Sequence, residues 1–141
     1  MNNTLPDDII LNKCSIIERC IRRINEVHAA CPNLDIFTHV DALILNIERA
    51  CQATIDMAMH VVAEKHLGIP QSSGHAFKLL ADHNLISKEL ALSLQKMVEF
   101  RNIAVHNYQE LDQAALSFVV KKGFNDFIEF CKSLGVTIST I

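Results

Sequence analysis

Apolar residues recur every three or four positions through most of this chain, and the pattern resolves into a succession of amphipathic helices. From about Asp7 to Ala30, Ile10, Cys14, Ile17, Ile21 and Ile24 share one face while Glu18, Arg19, Arg22 and Glu26 lie off it, as in a helix with one buried side. Cys31-Pro32-Asn33 then turns the chain. A longer helix is predicted from about Leu34 to His66, where Phe37, Val40, Ile44, Ile47, Cys51, Ile55, Ala58 and Val62 keep the period. That length suits the spine of a bundle, and Leu67-Gly68-Ile69-Pro70 ends it with a glycine and a following proline.

A shorter helix is predicted from about Gly74 to Asn84, capped by Ser72 or Ser73, with Phe77, Leu80 and Ala81 inward. Ser87 is the expected cap of a fourth, which carries Leu90, Leu94, Met97 and Val98 towards Arg101 and ends near His106. The fifth begins near Asp112, with an apolar stripe of Leu116, Val119, Val120, Phe124, Phe127, Ile128 and Cys131, and Leu134-Gly135 closes it. No strand pattern, repeat or low-complexity tract interrupts this order. The expected fold is all-α, an up-and-down four-helix bundle with an additional short helix, in one domain over residues 1–141.

Composition narrows the function classes. With 141 residues, half of them hydrophobic, the chain can bury one core but not two ordinary ones. Thirteen Lys and Arg against sixteen Asp and Glu give a slightly acidic protein, unlike a broad nucleic-acid binder that works through many phosphate contacts. Arg19, Arg22 and Arg23, and Lys121 with Lys122, are the nearest approach to basic patches and read as solvated helix faces. The five cysteines, Cys14, Cys20, Cys31, Cys51 and Cys131, have no CxxC spacing and fit core packing better than a disulfide framework or a zinc site. The N-terminal residues lack a signal-peptide pattern, and every apolar run is broken by charge short of a membrane span. A reducing cytosol is the expected compartment, with no membrane partner.

Candidate chemistry gathers in Arg101-Asn102-Ile103-Ala104-Val105-His106-Asn107-Tyr108, where a permanent cation, a proton-transfer group and the chain's one tyrosine fall within eight residues. Arg holds phosphoryl oxygens with a planar fork, and His titrates nearest neutrality, so one can bind the charge while the other moves the proton. Asp56, His60 and Glu64 also stand four apart, but such spacing is better read as a mutually supporting helix face than as a metal site. His28, His39, His75 and His83 have no partner pattern, and Ser72-Ser73-Gly74 is explained as a helix start.

The order Arg, four residues, His, one residue, Tyr resembles the motif of the HEPN superfamily, in particular the HepT-like toxins that work beside a minimal nucleotidyltransferase antitoxin. The HEPN-like fold is the same kind of helical bundle. In a straight helix Arg101 and Tyr108 lie about 20° apart on the wheel and His106 about 140° from Arg101. Either the helix bends or unwinds after Val105, or a second chain completes the site with its own Arg and His. The resemblance implies the second, a homodimer in which two copies of the motif line one cleft.

It also implies a metal-independent endoribonuclease with no cofactor: His106 moves protons, Arg101 holds the phosphate of an RNA substrate, and Asn102 supports them. Tyr108 stands where the family's motif tyrosine receives AMP from the nucleotidyltransferase, and nucleotides attached there would occupy the phosphate site and repel RNA. A second class of function stays open, in which the bundle is a non-catalytic nucleotide- or substrate-binding subunit of a nucleotidyltransferase complex. A third, purely structural reading makes the motif accidental.

Overall fold

The computed structural model describes residues 6–30, 37–106 and 124–139, with backbone alone for 37–39, 103–106 and 124. The elements are all helices: α1 (Asp8–Ala30), α2 (Phe37–Glu64), α3 (Ser73–Asp82), α4 (Lys88–His106) and α5 (Phe124–Ser133). The turn expected at Cys31-Pro32-Asn33, the start predicted for the second helix and positions 112–123 of the predicted fifth lie outside the described residues.

Side-chain oxygens set the starts of α1, α3 and α4. Asp7 Oδ1 accepts from the Ile10 amide at 3.0 Å, Ser72 Oγ from His75 at 3.1 Å and Ser87 Oγ from Leu90 at 3.0 Å, each satisfying a first-turn N–H that has no intrahelical acceptor. Of the two serines considered for α3, Ser72 is therefore the cap, and the helix begins at Ser73.

The ends of α2, α3 and α5 share one geometry. After α2 the Leu67 amide reaches Val62 O at 3.0 Å and His66 reaches Ala63 O at 3.3 Å; after α3, Leu85 reaches Leu80 O at 2.9 Å and Asn84 reaches Ala81 O at 3.0 Å; after α5, Val136 reaches Cys131 O at 2.9 Å and Gly135 reaches Lys132 O at 3.0 Å. Each pair closes a left-handed Schellman turn, with φ of 54° at His66, 63° at Asn84 and 94° at Gly135. The left-handed residue that ends α2 is thus His66 and not Gly68, which was expected to close it. Leu67, Leu85 and Val136, the next residue in each case, fold back against the core.

α2 touches every other described helix and is the spine of the assembly. It runs antiparallel to α1, as the pairs Lys13–Asp56 and Asp7–His60 show. The stripe predicted for α1, Ile10, Cys14, Ile17, Ile21 and Ile24, is buried, and so are Ile44, Ile47, Cys51, Ile55, Ala58 and Val62 of the stripe predicted for α2; Val40 is partly buried against the same core, and the Phe37 side chain lies outside the described residues. Phe77 of α3 packs edge-on against Phe130 of α5, with ring centroids 5.6 Å apart at 85°, an arrangement favoured by the opposed charges of ring edge and face. Among the described residues the buried polar side chains are Asn46 and Thr54, which return their hydrogen bonds to Ala42 O and Ala50 O. Beyond α5, the Ser139 amide donates to Glu18 Oε1 and Ser139 O accepts from Arg22 Nε, strapping the tail to α1. Among the described residues no helix is long and apolar enough to cross a membrane.

Phe77→Ala should lower unfolding free energy by about 3–5 kcal/mol, because the surrounding helices collapse only partly into the space it leaves. Urea denaturation followed by circular dichroism measures it.

Asp7 links capping to charge. Its carboxylate accepts from His60 Nε2 at 2.6 Å as well as from Ile10, and these hydrogen bonds hold its pKa below the ordinary 3.8, with that of His60 the larger influence. A depressed carboxylate contributes stability that is present above its unfolded pKa and lost as pH falls through its folded one. Asp7→Ala should therefore cost about 1 kcal/mol through the lost cap at neutral pH, and its deficit against wild type should shrink as pH falls below about 4. A pH series of urea midpoints checks both.

Candidate functional site

The candidate site lies on the last two turns of α4, which remains helical through His106. Arg101 is half-buried, and its Nη2–H donates to Gln52 Oε1 on α2 at 2.9 Å. Gln52 Nε2 in turn donates to Asp56 Oδ1 at 2.9 Å, and Asp56 Oδ2 accepts from Lys13 Nζ of α1 at 3.2 Å. The guanidinium thus sits at the end of a polar chain crossing three helices.

Beneath it lies the Cys51 thiol, which donates to Met97 O at 3.6 Å. Burial pushes Cys51 up to about 12, with the Arg101 charge pulling the other way. A thiol so placed is a core group and not a nucleophile at neutral pH. Cys14, Cys20 and Cys131 are likewise buried and free, in keeping with the core role expected of them; Cys31 lies outside the described residues. The Cys14 thiol donates to Met57 Sδ at 3.7 Å; the neighbouring Cys131 lowers Cys14, and Cys14 together with burial raises Cys131.

Asn102 is exposed on a different face from Arg101. It borders an open cavity of about 650 Å³ between Ser72–His75 at the start of α3 and Gln95, Val98 and Glu99 of α4. Inside this region His75 Nδ1 accepts from the Gln71 amide at 2.9 Å, and Gln95 Nε2 donates to Gly74 O at 3.1 Å. His106 follows Asn102 by four residues, so its backbone position lies about 40° round the helix from Asn102 and about 140° from Arg101. α4 does not unwind at Val105 and stays helical through His106; the chain beyond His106, where a bend was considered from the sequence, lies outside the described residues. Tyr108 lies outside the described residues.

The other candidates resolve differently. Asp56 and His60 do not support one another along α2 but cross to Lys13 of α1 and to Asp7, its cap. Among the described residues no group of three His, Cys, Asp or Glu side chains is placed to hold a metal ion. A second cavity of about 440 Å³, near the start of α4, is lined by Glu89, Asp126 and Glu129 with serines, a lining that repels phosphate. Gln52 is the site neighbour that sequence reasoning missed. Its one signal is a position one turn before Asp56 on α2, and nothing in the sequence ties that turn to α4.

The sequence profile of the HepT-like family, described as ribonuclease HepT-like, matches residues 10–134. The chain belongs to this family. It is 47% identical over 125 residues to the mRNA nuclease HepT of Shewanella oneidensis, covering 88% of this chain and 94% of that one. Its fold is similar to that of the tri-AMPylated Shewanella oneidensis HEPN toxin solved in complex with its MNT antitoxin, with a TM-score of 0.86 at 46% identity over 90% of this chain and 96% of the other. A crystal structure of a toxin–antitoxin with AMP-PNP gives a TM-score of 0.86 at 45% identity, over 90% of this chain and 97% of that chain. The HEPN resemblance and the all-α fold read from the sequence are borne out.

In this HepT-like chain Cys51 should stay unmodified by iodoacetamide at neutral pH while the protein is folded and become alkylated once urea unfolds it. Peptide mass spectrometry reads the difference.

Proposed function

We propose that this protein is the toxin of a toxin–antitoxin pair, a metal-independent endoribonuclease acting as a homodimer. Arg101 and His106 are its catalytic residues, with Asn102 in support. The observation that carries the reading is a 47% identity to an mRNA nuclease over 125 residues in a chain whose α4 holds Arg101 half-buried beside Gln52.

In the proposed reaction the 2′-oxygen of one nucleotide attacks the adjacent phosphorus as a histidine takes the hydroxyl proton. The bond from phosphorus to the 5′-oxygen breaks as a second histidine returns a proton to it. Arg101 binds the phosphate and offsets the negative charge that grows on its oxygens. The products are a 2′,3′-cyclic phosphate and a 5′-hydroxyl. Two proton transfers call for two groups. Because α4 separates Arg101 from His106 by about 140°, a cleft lined by two copies of the motif supplies both histidines and both arginines at once. The reading puts this chemistry in the cytosol, a reducing compartment that suits buried free thiols.

Tyr108 is the proposed acceptor of AMP from a minimal nucleotidyltransferase antitoxin. Its phenolic oxygen attacks the α-phosphorus of ATP, pyrophosphate leaves, and the attached nucleotide adds negative charge two residues from His106. Support comes from the tri-AMPylated state of the Shewanella oneidensis relative in its antitoxin complex.

End-labelled RNA incubated in excess EDTA with protein made without any nucleotidyltransferase tests the enzyme reading. Wild type should cut it to cyclic-phosphate ends, and His106→Ala, folded and dimeric, should lose at least about 100-fold in rate. Ends carrying a 3′-hydroxyl and a 5′-phosphate would refute the chemistry, and no scission by wild type would shift the reading to a nucleotide-binding subunit. Coexpression with the partner should add AMP masses to wild type but not to Tyr108→Phe; an unmodified wild type would remove the neutralisation step.

A further inference from the structure

We propose that Gln52 is a positioning residue that holds the Arg101 guanidinium in place through a neutral amide, leaving its full positive charge available to the RNA phosphate. This inference rests on the ribonuclease reading above and adds a residue from another helix to its site.

The direction of each hydrogen bond fixes how the Gln52 amide is turned. Gln52 Oε1 accepts from Arg101 Nη2 at 2.9 Å, and Gln52 Nε2 donates to Asp56 Oδ1 at 2.9 Å. A carboxylate only accepts and a guanidinium only donates, so these neighbours allow one orientation of the amide, with oxygen towards Arg101. Asp56 is fixed by Lys13 Nζ at 3.2 Å, so the order of charge along the chain is cation, anion, neutral amide, cation. Gln52 and Asp56 are four apart and therefore share one face of α2, the helix that packs against both α1 and α4.

A carboxylate in place of the amide would grip Arg101 more tightly but pair off its charge, and a paired guanidinium binds phosphate less well. A neutral acceptor orients the fork and leaves the charge in place. Order also lowers the entropic cost of closing on the phosphate, since a long side chain otherwise loses rotamer freedom when it binds. Gln52 is exposed and contributes nothing to the buried core, so its replacement can be read without loss of the fold.

The test compares Gln52→Ala with Gln52→Glu, each checked for unchanged thermal unfolding, in cleavage of RNA and in binding of the same strand made uncleavable by 2′-O-methylation. Gln52→Ala should lower kcat/KM by about tenfold, as expected for a lost hydrogen bond to a charged group, with the salt dependence of binding unchanged. Gln52→Glu should bind more weakly still, and the slope of log affinity against log salt should flatten by about 0.7 or more, the loss of one phosphate contact on a single strand. Cleavage by both variants at the wild-type rate, with wild-type salt slopes, would overturn the inference and leave the ribonuclease reading intact. If wild type binds without cutting, the ribonuclease reading fails and the salt slopes alone decide the role of Gln52. A wild type that neither cuts nor binds overturns both.

Discussion

A helix advances about 100° per residue, and since α4 is continuous from Lys88 to His106, that rotation governs what the motif can do. Arg101 is directed to α2, where Gln52 meets it at 2.9 Å. Asn102 falls on another face, beside the cavity bordered by the start of α3, and the backbone position of His106 lies about 40° further round the helix. No rotamer choice within a rigid helix brings two groups about 140° apart to one phosphorus. In the proposed enzyme the second protomer is therefore part of the chemistry and not only a partner in stability.

The remainder of the bundle keeps that rotation in register. α2 is long enough to touch every other described helix, and its buried stripe fixes its roll, so that Gln52 emerges beside Arg101 while Asp56 and His60 emerge towards α1. Schellman turns end α2 and α3 and direct the chain back over the core. The Phe77–Phe130 contact joins α3 to α5, so helices distant in sequence share one packed interior.

Much of this organisation was legible in the residues. Period-3.6 stripes such as Ile10, Cys14, Ile17, Ile21 and Ile24 located the buried faces, because burial of one helix side imposes that spacing whatever the partner. Ser87 was legible as a cap for a similar reason: its role depends on the amide three residues on. The end of α2 was harder, since a left-handed residue is usually sought at a glycine and here it is His66 at φ 54°, held there by the hydrogen bonds of its turn and by Leu67 packing on the core. Gln52 was not legible at all. Its link to Arg101 spans 49 positions and exists only because α2 packs against α4, and the same holds for Asp7 with His60 and Lys13 with Asp56. Helical spacing reports neighbours along one helix; pairings between helices follow from packing.

The most direct test of the two-protomer site is subunit poisoning. Differently tagged wild-type and His106→Ala chains would be coexpressed, and the mixed dimer purified through both tags and assayed on RNA in EDTA. If both histidines serve one cleft, the mixed dimer should retain far less than half of the wild-type rate, because removing either proton-transfer group disables the whole site. A mixed dimer with half the wild-type rate would show that each chain carries a complete site of its own and would contradict the account.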